Sequence, residues 1–389
     1  MKIAVIGQGY VGLPLSMAAA KSGHQVIGID MDKKLVASLN SGFSPIFDIS
    51  NDEIASNSKN YKVTSDYKEL NGAEIIAICV PTPLDSNQKP DNSFLINALK
   101  SVAENMDENS LVIIESTIAP GTTRGLAQNI LNESGKKFEL AYSPERIDPA
   151  NMNWNIINTP KLIAGLSESA TQKASNFYRT FIKEVIMGES VETFETAKLL
   201  ENTFRLINIS FINEFAEFCS ILDIDVREVI KAAQTKPYGF MPFYPSAGVG
   251  GHCIPVDPIF LSAKAKEVGA PTKFIELANQ VNNSLGDYFV QIAKKQLGGL
   301  QDKKIILVGV AYKPDISDTR ETPAKRILVA LRAEGAIVDW HDELVGEWNG
   351  EISSELSANF DLAILVNPHS NTNLSKLANV KILDVRGGY

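Results

Sequence analysis

The stretch GVGGHCIPVD, residues 248–257, sets Cys253 behind two glycines and a histidine, with Asp257 four positions on. A thiolate is a strong nucleophile and adds to electrophilic carbon. Three uses compete for this thiol: a small buried hydrophobe, a redox-sensitive group, or a nucleophile. The glycines argue against burial, because Gly248, Gly250 and Gly251 leave a bare backbone that a ligand can approach. Successive N–H groups in such a turn form an anion-binding concavity, which lowers a thiol pKa. Cys79 sits in the apolar run AEIIAICV and reads as core. The three cysteines are odd in number and far apart, with no C-x-x-C, so reduced thiols in a cytoplasmic protein are expected. With four scattered histidines, no metal site is expected.

A second constellation lies at the start of the chain. Gly7-Gln8-Gly9-Tyr10-Val11-Gly12 matches G-x-G-x-x-G, follows the predicted strand KIAVIG and opens a predicted helix. Gly7 permits the tight turn, Gly9 lets a pyrophosphate approach, and Gly12 lets helix and strand pack closely. The phosphates would lie at the helix N-terminus, where unpaired N–H groups and the dipole favour negative charge. Asp30 ends the second strand, where an acid hydrogen-bonds the adenine ribose and repels a 2′-phosphate. NAD is therefore favoured over NADP, although Lys33 and Lys34 could each pair with such a phosphate.

These residues need a frame. A chain of 389 residues implies two or three domains, and 44% hydrophobic residues supply the cores. The net charge of −9, without a basic block, disfavours nucleic acid or a membrane surface as partner. No apolar run reaches the ~18 residues of a membrane span. The opening MKIAVIGQGYVG is already strand and turn, so no signal peptide is expected.

Strands are predicted at 2–7, 25–30, 73–80, 110–117 and 138–144, with helical stretches between them. That alternation predicts a parallel sheet covered on both faces. From Thr193 to Leu222 there is no Gly or Pro, and the run is apolar around much of its circumference, so one long, largely buried helix is predicted. A loop rich in Pro, Gly and aromatics (236–258) and further helix to about Gly298 follow. Strands then resume at 303–312, 336–341, 362–366 and 381–386. The fold class is α/β: two Rossmann-like doubly wound domains joined by a long central helix. The expected divisions are an NAD-binding domain at 1–192, a central helical and dimerisation region with the cysteine loop at 193–298, and a C-terminal α/β domain at 299–389.

In four places the sequence resembles the UDP-glucose/GDP-mannose dehydrogenase family: GQGYVGLP, AKLLENT (197–203), GVGGHCIPVD and GVAYKPDISDTRETP (309–323). The segments fall in the family's order and span nearly the whole chain. The resemblance implies oxidation of a nucleotide sugar's C6 alcohol to a carboxylate, with two NAD consumed and no aldehyde released, and it implies that the 299–389 domain is UDP-sugar-binding. It implies that Cys253 is the nucleophile. Lys198 and Asn202, one helical turn apart, would then stabilise an oxyanion. Asp257 would join Lys198 and a bound water in proton transfer. Glu145, in YSPERIDP (142–149), would be the general base, and Thr117 would hold a water. The implied cofactor set is Gly7, Gly9, Tyr10, Val11, Gly12, Asp30, Lys33, Thr82 and Arg320. The implied substrate set is Arg146, Lys198, Asn202, Tyr244, Gly250 and Lys313, with Tyr238 and Phe243 as further aromatics for sugar or base packing.

Within the family, Val256 stands where the UDP-glucose branch carries Lys, and Pro149 where it often carries a second Glu. Both resemble the UDP-N-acetylhexosamine branch, and Arg146 with Asp148 resembles the N-acetylglucosamine enzymes. The substrate expected from the resemblance is a UDP-N-acetylhexosamine, with UDP-N-acetylglucosamine favoured; UDP-N-acetylmannosamine and UDP-glucose remain alternatives. The product, a uronic acid, would feed polysaccharide synthesis. The apolar helix suggests a homodimer. Outside this reading stand a one-step hydroxyacid or polyol dehydrogenase, which needs no thiol, and a non-catalytic NAD-binding sensor.

Overall fold

Short apolar runs with both faces buried form the centre of the computed structural model, which describes residues 1–46, 48–148, 151 and 153–387. Pro149 lies outside the described residues. The chain divides into two units, Met1–Glu201 and Asn202–Tyr389.

In the first unit, β1 (Lys2–Ile6), β2 (Gln25–Ile29), β3 (Tyr61–Thr64) and β4 (Ile75–Ile78) are followed by β5 (Leu111–Ile114), β6 (Glu139–Tyr142), β7 (Lys161–Gly165) and β8 (Val185–Met187). They form one sheet in the order β3-β2-β1-β4-β5-β6-β7-β8. The pairs are parallel except β6 with β7. The first six strands have the Rossmann order, whose ligand crevice opens at the strands' C-terminal ends.

Helices α1 (Gly12–Lys21), α2 (Lys33–Asn40), α3 (Asn51–Ser56), α4 (Ser93–Asn105), α5 (Gln128–Asn132) and α6 (Glu168–Tyr178) connect the strands. Alternation along each strand assigns Ile3, Val5, Ile75 and Ile113 to one core, with Leu13, Met17 and Phe177 from α1 and α6. Ala4, Ile6, Ile76 and Ile114 enter the other, with Leu95 and Leu99 from α4. The period of two thus explains why these strands read as continuous apolar runs.

Helix α7 runs from Val191 to Ile221 and carries the division between the units. The second unit adds α8 (Val226–Gln234), α9 (Asp257–Glu267) and α10 (Lys273–Leu297). Gly298 ends α10 in the left-handed conformation, φ 72°. A second sheet has the order β10-β9-β13-β14, from β9 (Lys304–Val308), β10 (Ile337–His341), β13 (Leu362–Leu365) and β14 (Lys381–Asp384), all parallel. A hairpin of β11 (Glu347–Trp348) and β12 (Glu351–Ile352) and helix α11 (Ala324–Ala333) complete it. The α/β class, the two Rossmann-like parts and the long helix are as the sequence predicts.

Candidate active site

The cofactor turn is built by close backbone approach. Gly7 has φ +87°, and a Cβ there would meet the Cys79 carbonyl oxygen at 2.6 Å. A Cβ on Gly12 would lie 1.8 Å from the Gly7 oxygen, whereas one on Gly9 would meet nothing within 4 Å. Gly7 and Gly12 are therefore needed by the fold, while Gly9 leaves an open face ahead of α1. Asp30 accepts from the backbone N–H groups of Gln8 (2.8 Å) and Asp32 (2.9 Å), which fixes its carboxylate beside the turn. Gln8 is buried and accepts from Ser16 (3.1 Å) and Tyr61 (2.8 Å), a brace that the variable position of the motif did not advertise. Thr82 is buried, Tyr10 and Val11 are half-buried, and Lys33 is exposed. The open face at Gly9, the helix N-terminus and the ribose-side acid fit NAD.

Further along the first unit, Thr117 follows β5 and is half-buried. Glu145 follows β6, is buried, and accepts from the Ile147 N–H. Burial pushes its pKa up, and the ammonium groups of Lys198 and then Lys161 pull it down. Lys198, on α7, is buried as well. The structure thus brings Glu145 and Lys198 into electrostatic reach. Glu195, three residues before Lys198, accepts from the N–H groups of Gly121 (2.6 Å) and Thr123 (2.9 Å). It ties α7 to the segment after Thr117, and a carboxylate on an apolar helix was the one available sequence signal. Arg146 is engaged by protein: its guanidinium pairs with Glu201 at 2.8 Å and donates to the Pro160 carbonyl at 2.9 Å.

In the second unit, Cys253 is exposed, in a turn whose Cys253 carbonyl accepts from the N–H of Asp257 at 2.8 Å. That turn starts α9, with Pro258 in its first turn. Asp257 is buried, and Asn202 Nδ2 donates to its Oδ2 at 2.5 Å. The glycines before Cys253 have a packing reason. A Cβ on Gly250 would meet Tyr312 Cβ at 2.7 Å, and one on Gly251 would meet the Tyr312 ring at 2.8 Å. Gly251 also donates to the Arg320 carbonyl at 3.0 Å. From α10, Asn282 Oδ1 accepts from the Val249 N–H at 2.8 Å. Tyr312 and Asn282 were not foreseen, because both meet the loop only through the fold. Burial lowers the pKa of His252, next to Cys253.

Arg320 is exposed, with its guanidinium on Asp318 at 2.6 Å, and Lys313 is half-buried on the same segment. Tyr244 is exposed and donates to Gln234 at 3.3 Å. At the end of β10, Asp342 accepts from the N–H groups of Val310 (2.9 Å) and Ala311 (3.1 Å), repeating at the second sheet the bond Asp30 makes at the first. Among the described residues no group of three or more His, Cys, Asp or Glu could hold a metal ion, and no helix is long and apolar enough to cross a membrane.

A Rossmann sheet with an intact pyrophosphate turn, and a second α/β unit with an exposed cysteine and a buried Asn–Asp pair, fit a dinucleotide-dependent dehydrogenase. Sequence models of the UDP-glucose/GDP-mannose dehydrogenase family match residues 1–182 (NAD binding domain), 192–284 (central domain) and 306–387 (UDP binding domain). The chain belongs to the UDP-glucose/GDP-mannose dehydrogenase family. It is an NAD-dependent oxidoreductase acting on a nucleotide sugar. It is 37% identical over 357 residues to the UDP-N-acetyl-D-mannosamine dehydrogenase of Pyrococcus horikoshii, covering 89% of this chain and 84% of that protein. The enzyme of that name from Methanococcus vannielii is 33% identical over 380 residues, 95% of this chain and 86% of the other. Among solved structures, UDP-D-ManNAc dehydrogenase from Pyrococcus horikoshii superimposes with a TM-score of 0.91 at 33% identity, covering 99% of this chain and 95% of that one.

Proposed function

We propose that the chain oxidises C6 of UDP-N-acetyl-D-mannosamine to the uronic acid in two NAD-dependent steps. The observation that carries the substrate is the name shared by the relatives just described. It favours the manno epimer over the gluco epimer that Arg146 and Asp148 suggested. Arg146, paired with Glu201 at 2.8 Å, stays among the residues assigned to the substrate.

NAD, when bound, accepts a hydride in each oxidation. The chain's own groups do the rest. Gly7, Gly9 and Gly12 shape the turn that would take the pyrophosphate, and Asp30 would hold the ribose hydroxyls. Glu145 takes the proton of the C6 hydroxyl, with Thr117 holding the water that later enters. The aldehyde carbon that results has no hydride to lose as an alcohol does until something adds to it. Cys253 Sγ adds to it, forming a C–S bond and an alkoxide that Lys198 and Asn202 stabilise. Loss of the second hydride gives a thioester; Glu145, having passed its first proton to solvent, takes one from the water that attacks the thioester, the C–S bond breaks and the thiolate returns. Asp257, bonded to Asn202, holds that amide and shares in the proton transfer. Tyr10, Val11, Lys33, Thr82 and Arg320 are assigned to the cofactor, and Tyr244, Gly250 and Lys313 to the substrate. The work is divided over residues 1–192, 193–298 and 299–389.

A panel of UDP-sugars assayed for NADH tests this. UDP-N-acetyl-D-mannosamine is expected to give two NADH per sugar and the highest kcat/KM. Faster turnover of UDP-N-acetylglucosamine overturns the epimer, and one NADH per sugar overturns the two-step route.

We also propose a homodimer through α7. Phe204, Phe211 and Phe218, seven residues apart, are exposed on it together with Leu200 and Ile221. Apolar side chains recurring on one face of a long helix call for a partner surface. Sedimentation is expected to show a dimer at micromolar concentration, and a monomer for Phe211→Glu. A monomeric parent protein refutes it.

A further inference from the structure

Beneath Glu145 lies a charged cluster that the proposed reaction leaves unused. Glu115, just after β5, is 2% exposed, and Lys161, which opens β7, is 7% exposed. Lys161 Nζ donates to Glu115 Oε2 at 2.5 Å and to the Pro144 carbonyl at 3.3 Å. Tyr178, from α6, donates its hydroxyl to the other Glu115 oxygen. Pro144 is the residue immediately before Glu145. A recess of about 20 Å³ adjoins the cluster, lined in part by Glu115, Glu145, Lys161 and Arg146, and by Val11 and Leu15 of the cofactor turn and its helix. That is room for one water molecule, and the lining supplies the polar partners a water needs.

A buried ion pair adds little stability over apolar side chains of the same volume. Its presence here, bonded to the backbone that carries the candidate base, calls for another reason. We infer that the Lys161–Glu115 pair positions Glu145 and governs its proton exchange, through the Pro144 carbonyl and one water held in the recess. The inference rests on the reading of Glu145 as general base.

The charges around Glu145 agree. Burial disfavours its ionised form. Lys198 from α7 and Lys161 from β7 favour it, as does the Ile147 N–H, and Glu115 opposes it. Arg146, the next residue, lies on the Glu201 carboxylate. Cys79, at the end of β4, and Tyr178 are both held neutral, since burial pushes each pKa well up. Lys198 first and Lys161 second are thus the side chains that favour a charged Glu145.

The test is the pH profile of kcat/KM. Lys161→Met is expected to cut the rate at pH 7 roughly tenfold to a hundredfold, and to move the acid limb to higher pH, because Glu145 must be ionised to accept a proton and has lost a neighbouring cation. Lys161→Arg keeps the charge and is expected to restore the wild-type limb. Lys161→Met strands Glu115, so the double variant Lys161→Met/Glu115→Gln, with its neutral pair, covers the case in which the single variant does not fold. It too is expected to slow the reaction, while NAD affinity stays within about twofold of wild type, because the pair acts on Glu145 and not on the cofactor turn. Wild-type rate and limb in any folded Lys161→Met protein overturn the inference. Glu145→Gln, run in parallel, separates the two claims: if it leaves the rate unchanged, the reading of Glu145 fails. If it is slow while Lys161→Met is not, only the inference fails.

Discussion

Cys253→Ser is expected to release at most one NADH per sugar and to lower full oxidation by roughly 10³-fold or more. The side chain is exposed and the turn around it is fixed by backbone bonds, with Asp257 donating its N–H to the Cys253 carbonyl. Exchanging sulfur for oxygen therefore leaves the loop in place, and stability should change by less than about 0.5 kcal/mol. The loss is chemical. A serine hydroxyl at neutral pH is a far weaker nucleophile than a thiolate, so the aldehyde carbon is not converted into a hydride donor. NADH counted against sugar consumed, beside a thermal melt, checks both halves. A folded variant still yielding two NADH at the parent rate would remove the covalent step from the mechanism.

The same loop shows where sequence and structure part. The glycines before Cys253 announced a special backbone, and the structure confirms their necessity. A packing reason stands beside the ligand-approach reading: Tyr312, some sixty residues on, lies where a Cβ on Gly250 or Gly251 would fall, and the Gly251 N–H donates to the Arg320 carbonyl. Local sequence shows that a side chain is forbidden but not what forbids it. Other parts were legible for physical reasons. Strands with both faces buried have to be apolar throughout, and a helix without Gly or Pro over thirty residues has few alternatives.

The strands missed were β3, β7 and β8, of four, five and three residues, and the two-residue β11 and β12. Runs that short carry little periodicity, and β7 opens on Lys161, a residue type that ordinarily marks a surface. Its burial depends on Glu115, forty-six positions earlier. Arg146 and Arg320 illustrate the converse. Both read as cations waiting for a ligand, and the structure sets each on a carboxylate, Glu201 and Asp318. A motif identifies the charge, whereas its partner is a property of the folded chain.

The cofactor turn supports a sharper test, because two of its glycines are glycine for different reasons. Gly12→Ala places a methyl 1.8 Å from the Gly7 carbonyl oxygen, a backbone atom that cannot rotate away. Helix α1 must then move off β1, so a loss of about 3 kcal/mol and a matching fall in melting temperature are expected, with NAD binding lost along with the turn. Gly9→Ala adds its methyl where no protein atom lies within 4 Å. Its melting temperature should stay within about 2 °C of the parent. The methyl instead occupies the face that a pyrophosphate must approach, so NAD affinity is expected to fall at least tenfold, which is about 1.4 kcal/mol. Calorimetric titration with NAD and a thermal melt on each variant separate the cases. If Gly9→Ala binds NAD as the parent does, the diphosphate does not cross the turn at Gly9, and the placement of the cofactor has to be redrawn. If both variants lose stability equally, the open face at Gly9 is closed in solution and the distinction between the two glycines fails.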